Sequence, residues 1–205
     1  RALHPEMKEL FHKWPTHRVP KPLVFDQLVQ LERPDANMPE ATQGPEHHLR
    51  YRDGFKLTDP RGTQREVMGE IDYCVICHER QKDSCSTGFV AKDAAAEGHT
   101  YKKNPLGIPL TGCPLDERIS EAHALKREGN SLGSLAMVMV DNPMCPGTGH
   151  RICNDCMKAC IYQKQEPVDI PQVETRTLKD VLEKADTDEI IGKTKVSALL
   201  EAMPK

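Results

Sequence analysis

Apolar positions recur at three- and four-residue steps in several stretches, separated by proline, glycine and polar runs, and this pattern predicts a mainly α chain. Thr63–Tyr73 sets Val67, Met68 and Ile71 on one face, with Arg65, Glu66 and Glu70 outside. From Leu115 the pattern is helical again: Ile119, Ala122, His123 and Leu125–Lys126 share a stripe, and Gly129 ends the run. Ser131 is placed to cap a helix over Leu132–Val140, with Leu135, Met137, Val138 and Met139 as packing residues and Asp141-Asn142-Pro143 as its stop. A further helix starts near Asn154 and carries Cys156 and Cys160, whose four-residue separation puts both thiols on one side. Thr177 caps Leu178–Ala185, and Lys195–Met203 makes a last amphipathic helix.

The N-terminal third reads differently. Pro5, Pro15, Pro20, Pro22, Pro34, Pro39, Pro45 and Pro60 each remove a backbone donor and push the preceding residue toward extended geometry. Short helices fit at Glu6–Lys13 and Val24–Leu31. The rest is an irregular arm that lies on its own surface or straps a partner. The chain therefore divides into a proline-rich arm at 1–62, a helical domain at 63–185 and a docking helix at 186–205.

Composition narrows the function. Hydrophobic residues make up 38% and aromatics 4% of 205 residues, a lean core that bound metal would reinforce. The net charge of −3 gives no pull toward nucleic acid, so no nucleic-acid partner is expected. No apolar run reaches the ~20 residues a membrane helix needs. Without an export signal, the expected location is an intracellular reducing compartment, the cytoplasm or alternatively the mitochondrial matrix.

All eight cysteines fall between residues 74 and 160, as Cys74-x2-Cys77-x7-Cys85, Cys113-Pro114, Cys145 and Cys153-x2-Cys156-x3-Cys160. Thiols confined in this way act together. A C-x-x-C turn delivers two ligands from one tight loop and distant cysteines close the cage, so the spacing points to two [4Fe–4S] clusters. Tetrathiolate zinc is the main alternative, although the usual zinc ribbon has two tidy knuckles per metal. Cys74-Val-Ile-Cys77-His78 also matches c-type haem attachment, and eight thiols allow four disulfides; neither accounts for the whole set in this context. His78 is expected to donate to a cluster sulfur. Asp116–Glu117, Ser120–Glu121 and the acids of 186–189 read as helix-end and surface charges.

The words CVIC, GCPLDERI, TGHRICNDCMKAC and PVDIPQVE, taken in order, resemble the N-terminal iron–sulfur domain shared by the small subunit of glutamate synthase and dihydropyrimidine dehydrogenase. The resemblance covers about residues 63–185. It implies a compact helical two-cluster domain, with Cys74, Cys77, Cys85 and Cys160 on one [4Fe–4S] cluster. Cys113, Cys153 and Cys156 would share the other with Glu174, or with the additional Cys145 in its place. It further implies an electron-transfer subunit within a larger, flavin-containing oxidoreductase complex, with a structural or assembly subunit as the alternative. FAD and NAD(P)H would sit only on a partner or a missing domain, because the chain has no G-x-G-x-x-G and no defensible catalytic constellation of its own.

Overall fold

Thr63 and Glu66 begin the ordered body with a reciprocal cap. The Glu66 carboxylate accepts from the Thr63 N–H at 2.7 Å, and the Thr63 hydroxyl accepts from the Glu66 N–H at 3.3 Å. In this computed structural model, which describes residues 20–25, 30–32, 35–39, 41–43, 54–55, 61–91, 100–148 and 152–186, the cap opens helix α1, Gln64–Tyr73. A 3-10 turn at Cys77–Arg80 and the single turn α2, Ser84–Thr87, follow. Two longer helices, α3 (Ile119–Arg127) and α4 (Ser131–Asp141), form an antiparallel pair. The short turns α5 (Cys145–Thr148) and α6 (Asp155–Lys158) lead to the longest helix, α7, Ile170–Asp186. The described chain is mainly α-helical. Its strands are β1 (Gln30–Glu32) and β2 (Ala41–Gln43), an antiparallel ribbon in which Leu31 faces Thr42.

Helix α7 packs against α1, α3 and α4. Val67 and Ile71 of α1 are buried with Val173 of α7, while Ala122 of α3 and Val138 of α4 enclose Cys145. A third cluster joins Ile119, Val168 and Ile170 to Cys85, Cys156 and Cys160. Polar ties fix these contacts. The Arg118 side chain forks onto Asp141 at 2.8 and 3.0 Å and its backbone N–H adds a third bond at 3.0 Å, closing the α3–α4 pair. Buried Ser134 donates to the Ala122 carbonyl at 2.7 Å. Asp169 N–H donates to Glu70 at 2.9 Å, and Arg127 reaches the carbonyls of Ile71 and Cys74, both at 2.9 Å.

Several local expectations change. Asn130, not Ser131, caps α4, accepting from Gly133 N–H at 2.8 Å. Thr177 lies inside α7 with 1% exposure, because Pro171 at the first turn already starts that helix. Val24–Leu31 is not a helix over its described length, since Gln30 and Leu31 pair in β1. Isolated antiparallel bridges cross the stretch between Cys85 and Cys113. Val90 bridges Tyr101 and Lys103 bridges Pro109 across it. Residues 92–99, the Glu6–Lys13 helix and the Lys195–Met203 helix lie outside the described residues. Among the described residues no helix is long and apolar enough to cross a membrane.

One ion pair tests how α7 is held. Lys126 of α3, 3% exposed, pairs with Asp180 of α7 and donates to Ser131 at 2.8 Å, while Arg176 approaches Asp180 at 2.6 Å. Asp180→Ala leaves a buried ammonium without its carboxylate. It is expected to cost ~3–5 kcal/mol in urea unfolding, whereas the double change Lys126→Met with Asp180→Leu restores most of the loss.

Candidate functional site

Two backbone devices aim the cysteines. Ile76, between Cys74 and Cys77, is held at φ +46° although it is β-branched, a conformation that costs on the order of 1–2 kcal/mol and persists only where its surroundings enforce it. Its side chain is 2% exposed, so burial holds the turn. The second device joins distant segments. Cys113 N–H donates to the carbonyls of Cys85 and Ser86, both at 2.9 Å. Gly88 and Gly112, at φ +79° and +78°, let these strands touch; a Cβ on Gly112 would collide with the Ser86 carbonyl.

The sulfurs fall into two groups. Cys74, Cys77, Cys85 and Cys160 line one cavity of about 20 Å³, with Ser120, His123 and Tyr162. Cys113, Cys153 and Cys156 line a second of about 250 Å³, with Glu117, Asn142 and Glu174. Ile119 stands between the two cavities and lines both. Cys156 and Cys160 therefore serve different cavities. α6 ends at Lys158, so the expected single helical face for both thiols does not form. Cys145 lines neither cavity; it is fully buried against Ala122, Val138 and Met137.

Burial sets the charge state. It pushes the thiols of Cys74 and Cys145 up to about 11, and Cys85 and Cys156 higher still. Neighbouring thiols add to this within each group: Cys160 acts on Cys74, Cys77 and Cys85, and Cys153 acts on Cys113 and Cys156. A buried thiol gives up its proton only to a cation that replaces lost hydration, which makes such sulfurs unreactive alone and strong metal ligands. Mononuclear zinc would need sulfurs about 3.8 Å apart at ordinary Zn–S lengths. No three of these sulfurs come within 4.8 Å of one another. The donor set is four thiols in the first cavity, and three thiols with the carboxyls of Glu117 and Glu174 in the second.

Two further residues were invisible to pattern reading. Glu117 is no surface charge. It is 5% exposed and hydrogen-bonded to Glu174, and burial followed by its neighbour's charge pushes Glu174 up to about 9. His123 is fully enclosed, and burial ahead of the Arg127 charge pushes it down to about 4. Its Nδ1 has no hydrogen-bond partner among the described residues, and its ring lines the four-thiol cavity. A group inside that cavity would complete it. The Nδ1 of His78 lies 3.1 Å from Glu121 Oε1.

Comparison with known proteins points elsewhere than the cysteine words. Residues 172–205 match the S13-like H2TH domain family. A stretch of 28 residues, 14% of the chain, is 71% identical to integration host factor of Mycolicibacterium smegmatis, covering 27% of that protein. Two uncharacterized proteins of Rickettsia prowazekii also match. RP006 is 64% identical over 39 residues, 19% of this chain and 6% of its own length, and RP005 is 36% identical over 80 residues, 38% and 25%. The chain thus spans about a quarter or less of the length of these relatives. No solved structure matches.

These matches overturn the family assignment to glutamate synthase small subunit and dihydropyrimidine dehydrogenase, and with it the electron-transfer role and the oxidoreductase or flavoprotein partners. The assignment rested on short words around cysteines, and such words report ligand spacing more than descent. The exclusion of nucleic acid falls too. Net charge averages over 205 residues and says little about a domain of 34.

The acid pair gives a pH signature in the metal-free chain. Near the ordinary value of 4.5 the unfolded Glu174 loses its proton, whereas the folded carboxyl keeps it to about 9. The unfolded state then binds fewer protons, so stability falls as pH rises between these values. Urea midpoints measured from pH 5 to 8 should decline in the parent chain, and the decline should flatten in Glu174→Gln.

Proposed function

We propose that this protein binds nucleic acid through its C-terminal segment, mounted on a metal-stabilised cysteine-rich helical body. The observation that carries this reading is the match of residues 172–205 to the S13-like H2TH domain. The stretch shared with integration host factor supports it. The segment opens within α7, so a rigid helix packed on three others would orient it. Residues 172–205 carry Arg176, Lys179, Lys184, Lys193, Lys195 and Lys205 against seven acids. Binding then rests on a few placed cations contacting phosphates and not on a basic field. Lys193 and Lys195 follow Gly192 and are the pair assigned to backbone phosphates.

Within the body, Cys74, Cys77, Cys85 and Cys160 would hold one [4Fe–4S] cluster, and Cys113, Cys153 and Cys156 with Glu174 a second. The grouping of the sulfurs into two cavities and the open nitrogen of His123 support these sets. Glu174 lines the three-thiol cavity and Cys145 does not, which favours the carboxylate as fourth ligand. When bound, each cluster would supply a compact cation core that neutralises buried thiolates. The chain's own residues grip it, shield it with Ile119 and Tyr162, and convert binding free energy into fold stability. Buried free thiols suit a reducing compartment.

Gel shift with the full chain tests the main reading. Duplex DNA should bind, with RNA as a parallel arm, and Lys193→Glu with Lys195→Glu should weaken affinity at least about tenfold while lowering the salt slope by about two. Equal binding by parent and variant, or none at low salt, rejects it. Iron and acid-labile sulfide analysis of the same protein should find about eight irons per chain. Stoichiometric zinc without sulfide would instead assign the thiols to zinc.

A further inference from the structure

We infer that His78, Asp83 and Glu121 form a separate site for a single divalent transition-metal ion, outside both thiol cavities. One ligand atom from each lies within 4.8 Å of the others, and this is the one such group of three among the described residues. A cation bound to nitrogen and oxygen at about 2.1 Å holds its donors roughly 3 to 3.4 Å apart. His78 Nδ1 and Glu121 Oε1 already stand 3.1 Å apart. Closing the third side falls to the His78 ring, whose side chain is 59% exposed.

Three observations carry the site beyond a chance gathering of charges. The second oxygen of Glu121, Oε2, is buried and has no hydrogen-bond partner among the described residues. A buried carboxylate oxygen left alone is costly, and a cation beside it removes that cost. Asp83 is held in place from behind: Ser120, itself fully buried, donates its hydroxyl to Asp83 Oδ1 at 2.9 Å, the kind of support that orients a metal-binding carboxylate. The exposed imidazole leaves an entry path, and water would complete the coordination.

The donor chemistry differs from that of the thiols. One imidazole and two carboxylates suit Mn²⁺ or Zn²⁺, and they discriminate poorly by affinity alone. The three ligands come from the 3-10 turn, the residue before α2, and α3. An ion here would pin to α3 the loop that delivers Cys77 and Cys85, without touching a sulfur. Asp83 Oδ1 also accepts from the Cys85 thiol at 3.5 Å, so Asp83 is the ligand that adjoins the four-thiol cavity.

Mn²⁺ separates the two kinds of site, because it prefers oxygen and nitrogen over thiolate. Titrated into the full chain as isolated, with free Mn²⁺ read from its six-line EPR signal, it should bind at one ion per chain. Glu121→Gln and His78→Ala should each weaken binding at least tenfold, and Glu128→Gln, an exposed acid elsewhere on the body, should leave it unchanged. His78 is exposed, so its removal spares the core; circular dichroism checks the fold, and Mn²⁺ should raise the Tm of the parent chain but not of His78→Ala. Mn²⁺ that stays free at millimolar concentration, or binds all four chains alike, overturns the site.

Discussion

Helix α7 is the member on which the described body depends, because each of its faces is committed to a different partner. Val173 enters the cluster with Val67 and Ile71 of α1. Glu174 faces Glu117 and the three-thiol cavity. Asp180 meets the buried ammonium of Lys126. At its start, Ile170 packs beside Cys85, Cys156 and Cys160. Apolar burial alone would leave a lean body marginal. Along the helix, charges and carboxyls are paired in places where an isolated polar group could not be tolerated.

The thiols show the same economy in a different form. Desolvation makes Cys85, Cys156 and Cys160 reluctant to ionise, so on their own they are inert packing residues in an apolar cluster. What makes them more than packing is convergence. The left-handed turn at Ile76 and the glycine contact between the strands at Gly88 and Gly112 bring together sulfurs from opposite ends of an 87-residue span. The strain in that turn and the absence of side chains at those glycines are the conformational costs of that convergence.

Much of the helical frame was legible from the chain. Val67 and Ile71 at a four-residue step gave α1, and the run ending at Gly129 gave α3, because amphipathic period and a left-handed terminator are local signals. The division of the cysteines into two cavities is not local, and it came from a resemblance that the wider comparisons do not uphold. Reading Cys156 and Cys160 as one helical face failed for a physical reason: α6 lasts a single turn, and one residue past Lys158 the direction of the chain is set by tertiary contacts. Glu117 and Thr177 were misplaced for a related reason. A charged residue beside a ligand word, or a threonine before an apolar run, looks the same in sequence whether the neighbouring element covers it or not.

The two halves of the functional reading meet within α7, and the order of stabilities there constrains how they work. The N-terminal turns of the helix are fastened to thiol-bearing elements, while the family match continues past Asp186 into the C-terminal segment. A guest that stiffened the thiol cavities would stiffen the seat of that segment, since Glu174 is one helical turn from Ile170 and about one and a half turns before Lys179 and Asp180. Binding of a polyanion by a few fixed cations is favoured when those cations need not be ordered at the moment of contact. Metal occupancy and phosphate affinity would then be linked through the rigidity of one helix. Under the proposed function such a link would be reciprocal: if metal raised the affinity for nucleic acid, bound nucleic acid would raise the retention of metal.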